Sequence, residues 1–203
     1  MSKDKLIERL NAIPPTEVRK EQLLALTKYL FDTGLELVPA STGKSVDYQG
    51  GNYAGGLIDH ILSVHDRLLA YASDKGVPQP TPLSLLLVSI AHAAFKVTDG
   101  FGHAYYETKT SKTGKALKCP YGKVKAYAEL PSFAANLITA RAFINPLLPD
   151  EIQALAFSDY ASVEQSAEDT YIKLYPLTLY LRTAYTLSVG YVEKRAGGES
   201  DEE

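Results

Sequence analysis

Cysteine is nearly absent. Cys119 is the single one in 203 residues, which excludes an intrachain disulfide framework and a cysteine-rich zinc site. Long apolar runs are missing too: a stretch such as Leu85 to Ile90 is far too short to span a bilayer. The first residues, Met1 to Glu8, are charged and polar, so no secretory signal is visible. No internal repeat is evident. Nor does one sign of charge dominate, the formal net charge being −3. These absences lead to the expectation of a soluble, cytoplasmic protein with no membrane partner. Apolar residues make up 45% and charged residues 22%, which is ordinary globular composition and excludes collagen, coiled coil and wholesale disorder. A chain of this length buries roughly 70% of its unfolded surface and needs no staple to fold.

The charge is unevenly placed. Four of the 24 acids lie between Glu199 and Glu203, leaving 20 acids against 21 basic residues elsewhere. Between His103 and Tyr127 six lysines (Lys109, Lys112, Lys115, Lys118, Lys123, Lys125) meet one acid, Glu107. The body is thus near neutral, with a basic strip and an acidic tail, and Gly197-Gly198 followed by acids reads as disordered.

Helical spacing dominates the rest. Ser2 starts a helix to about Ala12, stopped by Pro14-Pro15, and Thr16 caps a second that ends before Gly34. Leu35 to Tyr53 reads as a long loop. A third helix opens at Gly55-Gly56 and runs to about Ser73 with a wide apolar stripe. A fourth, about Leu83 to Val97, is apolar almost all round and should be the buried centre. Ala104 to Thr110 and Lys115 to Cys119 have strand character about a Ser-Lys-Thr-Gly turn, which predicts a β-hairpin. Further helices are expected from Pro131 to Phe143, from Pro149 to Asp159 and from Ile172 to Lys194. The fold class is therefore all-α with one inserted hairpin. Its parts are an N-terminal helical segment (1–34) packed on the core, a main domain (35–195) and an acidic tail (196–203).

Some motifs carry little. Gly43-Lys44-Ser45 has the end of a phosphate-binding loop, but the required first glycine falls at Val38 and no helix follows. His65-Asp66 lies within a helix, where adjacent residues point about 100° apart, and reads as a polar pair rather than a metal site. His60 and His92 differ. Each sits on a strongly apolar helix, and imidazoles facing each other across a bundle make a natural metal or phosphate site.

Pro39-Ala40-Ser41-Thr42 followed by Asn52-Tyr53-Ala54-Gly55-Gly56-Leu57-Ile58-Asp59-His60 resembles the opening of the HD-domain phosphohydrolases, above all the small bacteriophage-encoded type. Leu85 to Ile90 followed by Ala91-His92-Ala93-Ala94-Phe95-Lys96 resembles that family's apolar helix ending in His-Asp, with a lysine four residues after the histidine. Cys119-Pro120-Tyr121-Gly122, Pro149 to Phe157 and Pro176 to Tyr191 resemble its later segments. The likeness runs from about residue 35 to 195. It implies a helical HD-like bundle with His60 and His92 as metal ligands, for manganese, magnesium, iron or cobalt.

The departures point away from that chemistry. Ala93 stands where the aspartate after the histidine belongs, Tyr185 where the last helix should supply another, and Lys123 and Ser158 where auxiliary histidines are expected. Magnesium and manganese prefer oxygen ligands, so the metal site is expected to be a remnant and no cofactor is expected. Asp99 and His103 are the available replacements, and Lys96 with Asp99 would be the catalytic pair if activity survived. A cleft that lost carboxylates and kept lysine still suits a phosphate. The expected binding set is therefore His60, His92, Lys96, Lys123, Lys125 and Tyr185. The leading expectation is an inactive phosphohydrolase-like protein, of viral type, that binds a nucleotide or nucleic acid through the 103–127 hairpin or assembles with a protein partner. The alternatives are a working metal-dependent nucleotide phosphohydrolase and a purely structural interaction subunit.

Overall fold

The computed structural model describes residues 2–40, 51–73, 79–98, 104–113, 121–124, 132–157 and 175–189. Among them seven α-helices and one antiparallel hairpin form: α1 (Ser2–Ala12), α2 (Lys20–Asp32), α3 (Gly56–Ala72), α4 (Pro82–Ala91), β1 (Tyr106–Thr108), β2 (Tyr121–Lys123), α5 (Ser132–Phe143), α6 (Pro149–Ala156) and α7 (Pro176–Leu187). Short 3₁₀ turns lie at Leu35–Leu37 and Ala94–Lys96. The fold class is the expected one, all-α with an inserted hairpin. No helix among the described residues is long and apolar enough to cross a membrane.

Every residue of α4 from Leu83 to Ala91 is buried, so the helix without a polar face is the centre. Thr81 caps its start by accepting from the Ser84 N–H at 3.1 Å, and Pro82 occupies the first turn, where its missing N–H costs nothing. Around α4 stand α2, α3, α5 and α6, while α7 packs on α3 and α6. The helices α1 and α2 belong to the same core: Leu6, Leu10, Leu23, Leu26 and Leu30 are buried with Leu57, Leu68, Leu86 and Leu87. Each such leucine contributes roughly 1.5–3 kcal/mol through burial.

Several element ends depart from the sequence reading. The second helix begins at Lys20, not after Thr16, because the Glu17 N–H turns back to the Pro14 carbonyl at 3.2 Å and Arg19 becomes the capping position. The fourth helix stops at Ala91 instead of Val97. Asn136 of α5 is the cause. Its amide donates to the His92 carbonyl at 2.6 Å and its oxygen accepts from the Phe95 N–H at 3.0 Å, removing two groups that further helical turns would use. The Lys96 N–H bonds the Ala93 carbonyl instead, giving the 3₁₀ turn.

The hairpin pairs Tyr106 with Lys123, Glu107 with Gly122 and Thr108 with Tyr121. The paired strand thus follows Pro120, not precedes it. Proline supplies no ladder donor, and Gly122 leaves the space in which the Lys109 side chain lies, since a Cβ there would sit 1.9 Å from Lys109 Cε. Lys115–Cys119 lies outside the described residues. The sixth helix ends at Ala156, with Asp159 outside the described residues. The last begins at Pro176, since Tyr175 has φ −132° and ψ 81°, outside the helical region that a residue before proline avoids. Residues 172–174, 190–194 and the acidic tail lie outside the described residues.

Candidate functional site

The chain's path into α3 sets the position of His60. Gly55 has φ 83° and Gly51 φ 81°, values that favour glycine. A Cβ on Gly56 would lie 2.2 Å from the Gly51 carbonyl oxygen, so the helix start can press on that backbone only as glycine. The Leu57 N–H donates to the Val38 carbonyl at 3.1 Å and the Ala40 N–H to the Gly51 carbonyl at 2.7 Å. These bonds tie residues 38–40 to the helix. One turn in, His60 is buried, and His92 at the end of α4 is buried beside it.

The two imidazoles meet at Nε2, 3.1 Å apart. The His92 Nδ1 lies 3.1 Å from the Val88 carbonyl. A carbonyl only accepts, so Nδ1 carries the hydrogen and, in the neutral ring, Nε2 is the bare acceptor. His60 Nε2–H therefore donates to His92. Burial, then the nearby His60 and Lys96, hold His92 well below the ordinary histidine pKa, against the opposing hydrogen bond to Val88. His92 is thus held neutral, and one proton lies between the two facing nitrogens. The Tyr185 ring from α7 stands edge-on to both, with centroids 5.5 Å from His60 and 6.0 Å from His92.

An HD-type metal centre would need both facing lone pairs together with carboxylates. Ala93, where the resemblance expects an aspartate, is buried. Asp59 accepts from Ser2 Oγ at 2.5 Å and from the Tyr53 hydroxyl at 2.6 Å. Among the described residues no three potential ligands of the His, Cys, Asp or Glu type come together. The described donor set does not fit magnesium or manganese. Asp99 and His103 lie outside the described residues.

Lys96, near His92, also lines a cleft of about 200 Å³ together with Leu37, Pro39, Tyr105, Tyr106 and Tyr121 among others. The Lys96 ammonium donates to the Ala40 carbonyl at 2.6 Å. Phe95, Tyr105 and Tyr106 form an edge-to-face run with centroid spacings of 5.2 and 4.7 Å. The Lys123 ammonium lies 4.9 Å over the Tyr105 ring, a cation–π contact. The candidate set is thereby divided: the buried His60 and His92 meet the half-buried Tyr185, Lys96 lines the cleft beneath the hairpin, and Lys123 lies over one of that cleft's rings. Lys125 lies outside the described residues.

Other polar contacts were not anticipated. Glu151 is wholly buried and accepts from Arg19 with both oxygens (2.8 and 2.6 Å), from Ser84 Oγ (2.7 Å) and from the Leu148 N–H (2.8 Å). An acid three residues after Leu148 is a capping signal, so its helix-start role was legible and its ion pair was not. Arg9 donates to His65 Nδ1 at 2.8 Å and pairs with Asp66 at 2.8 Å. Burial and then the Arg9 charge lower the His65 pKa to about 4, Asp66 opposing. His65-Asp66 is thus one half of an arginine-bridged contact between α1 and α3. Comparison with protein families, with curated proteins and with solved structures finds no match for this chain.

Proposed function

We propose that this chain is a metal-independent binding protein on an HD-like helical scaffold, and that the cleft beneath the hairpin takes one nucleotide unit of a single-stranded nucleic acid. The observation that carries this reading is the pairing of rings with lysines in one place: Tyr105 and Tyr106 beside Lys96, with Lys123 over Tyr105. A base stacked on such a ring gains roughly 1–3 kcal/mol, and an ammonium supplies the opposite charge for a phosphate. At about 200 Å³ the cleft is smaller than the roughly 300–1,000 Å³ of a pocket that encloses a whole small ligand. That size favours a strand passing over the surface with one unit inserted. The donor set supports binding without metal, because among the described residues the facing His60 and His92 are joined by no third ligand of the His, Cys, Asp or Glu type.

The test is a titration of labelled single-stranded DNA and RNA, and of free nucleotides, at two salt concentrations with EDTA present. Binding to a strand should weaken with salt as counterions are released. It should fall about tenfold in each of Lys96→Ala and Lys123→Ala, the loss of about one charge-assisted contact. Binding that is equal in wild type and both variants removes the cleft from the function and points to a protein partner.

A further inference from the structure

A second concavity, sharing no residue with the hairpin cleft, lies between α1 and α3. It measures about 450 Å³ and its charged lining is Lys5, Arg9, Asp59, Asp66 and Arg67, with the Ser63 hydroxyl beside them. Most of these groups are committed. Arg9 holds His65 and Asp66 and reaches the Leu62 carbonyl. Asp59 accepts from Ser2 and Tyr53, and Ser63 Oγ donates to Ser188 Oγ at 3.0 Å. Lys5 and Arg67 are not: neither has a hydrogen bond or ion pair among the described residues. Arg67 Nε is moreover buried with no acceptor. A buried donor left unmade costs roughly 1–3 kcal/mol, more for a charged group; Nε itself is out of reach of the groove, and an anion entering it would meet the terminal nitrogens of the same guanidinium.

We propose that this groove binds the phosphate group of a small molecule, held by Arg67 from α3 and Lys5 from α1. A guanidinium presents its donors in a fork matched to phosphate oxygens, and an ammonium adds a point charge from the other wall. Charge balance narrows the class. Three cations face two carboxylates, an excess of one positive charge, which suits a single phosphate rather than a polyphosphate or a nucleic-acid backbone. The volume lies within the range of small-molecule pockets, leaving room for more than the phosphate. Asp59 and Asp66 retain lone pairs that accept from hydroxyl groups of the remainder.

The experiment uses inorganic phosphate as the probe and the full chain as the protein. In nitrogen-resolved NMR the Arg67 Nε–H signal is followed while phosphate replaces chloride at constant, low ionic strength. A saturable shift of that signal is expected, with a midpoint about tenfold higher in Lys5→Ala, whose side chain is exposed and whose loss leaves the fold intact. Calorimetry should show a loss of about tenfold or more for Arg67→Gln, while the Arg67 Nε–H signal, which reports this groove alone, separates it from any phosphate taken by the hairpin cleft. An unmoved Arg67 signal, a shift that never saturates, or the same midpoint in wild type and Lys5→Ala would overturn the proposal.

Discussion

Glu151 is a carboxylate without solvent contact, held by Arg19, Ser84 and the Leu148 N–H. Removing one partner of such a pair leaves the other charge buried and typically costs about 3–5 kcal/mol. Urea unfolding of Glu151→Ala should show that loss, and Arg19→Met/Glu151→Leu should recover much of it, since no charge is then stranded. His65 gives a pH dependence with a defined sign. Its folded-state pKa lies near 4, below the ordinary 6.5. The unfolded chain therefore takes up this proton first as pH falls. Its contribution is complete above about pH 6.5 and is lost progressively down to about pH 4, up to about 3 kcal/mol for a shift of this size. Unfolding free energies measured across that window should slope upward with pH, and His65→Gln should flatten the slope by about one proton.

Helix interiors and helix ends were unequally legible. The apolar repeat of α3 and the all-round apolar character of α4 follow from side-chain spacing, and both helices form where that spacing places them. Their limits depend on groups distant in sequence. Thr16 looked like a cap, but the position went to Arg19, which pairs with Glu151 across the fold. The helix expected to reach Val97 ends where Asn136 meets the His92 carbonyl. Nothing in a run such as Ala91-His92-Ala93-Ala94 announces an amide arriving from α5. The candidate site divides along the same line. His60 and His92 each lie on a helix whose burial could be read from its own residues. That Lys123 lies over Tyr105 depends on strand register, and the strand reading had chosen residues before Pro120. Asn136→Leu tests the terminator directly. With the Phe95 N–H and the His92 carbonyl losing their bonds to the Asn136 amide, at roughly 1–3 kcal/mol each, hydrogen exchange at Phe95 should accelerate at least tenfold and overall stability should fall.

At the scale of the molecule the N-terminal segment 1–34 packs its α1 and α2 leucines into one core with the helices that follow. Leu26 and Leu30 of α2 are as fully buried as Leu86 and Leu87 of α4, and the histidine cluster lies within the same packed body. Two facing imidazoles with no third ligand among the described residues have a macroscopic consequence. Manganese, magnesium or EDTA should leave the thermal midpoint unchanged, because a ligand stabilises only by preferring the folded state. No metal-dependent release of phosphate from nucleotides should exceed background. A midpoint that rises with manganese, together with turnover abolished by both EDTA and His92→Ala, would require carboxylates from outside the described residues.

Arg19 and Glu151 are separated by 132 positions along the chain. Bringing together residues so far apart carries a large closure entropy before any contact rewards it. A bond of this kind should form late in assembly, after neighbouring helices such as α3 and α4 have paired. An interaction absent from the transition state governs the rate of escape from the folded state rather than the rate of reaching it. The pair joining the start of α2 to the start of α6 should thus act as a kinetic latch. Loss of Glu151 should appear chiefly as faster unfolding, with the refolding rate little changed.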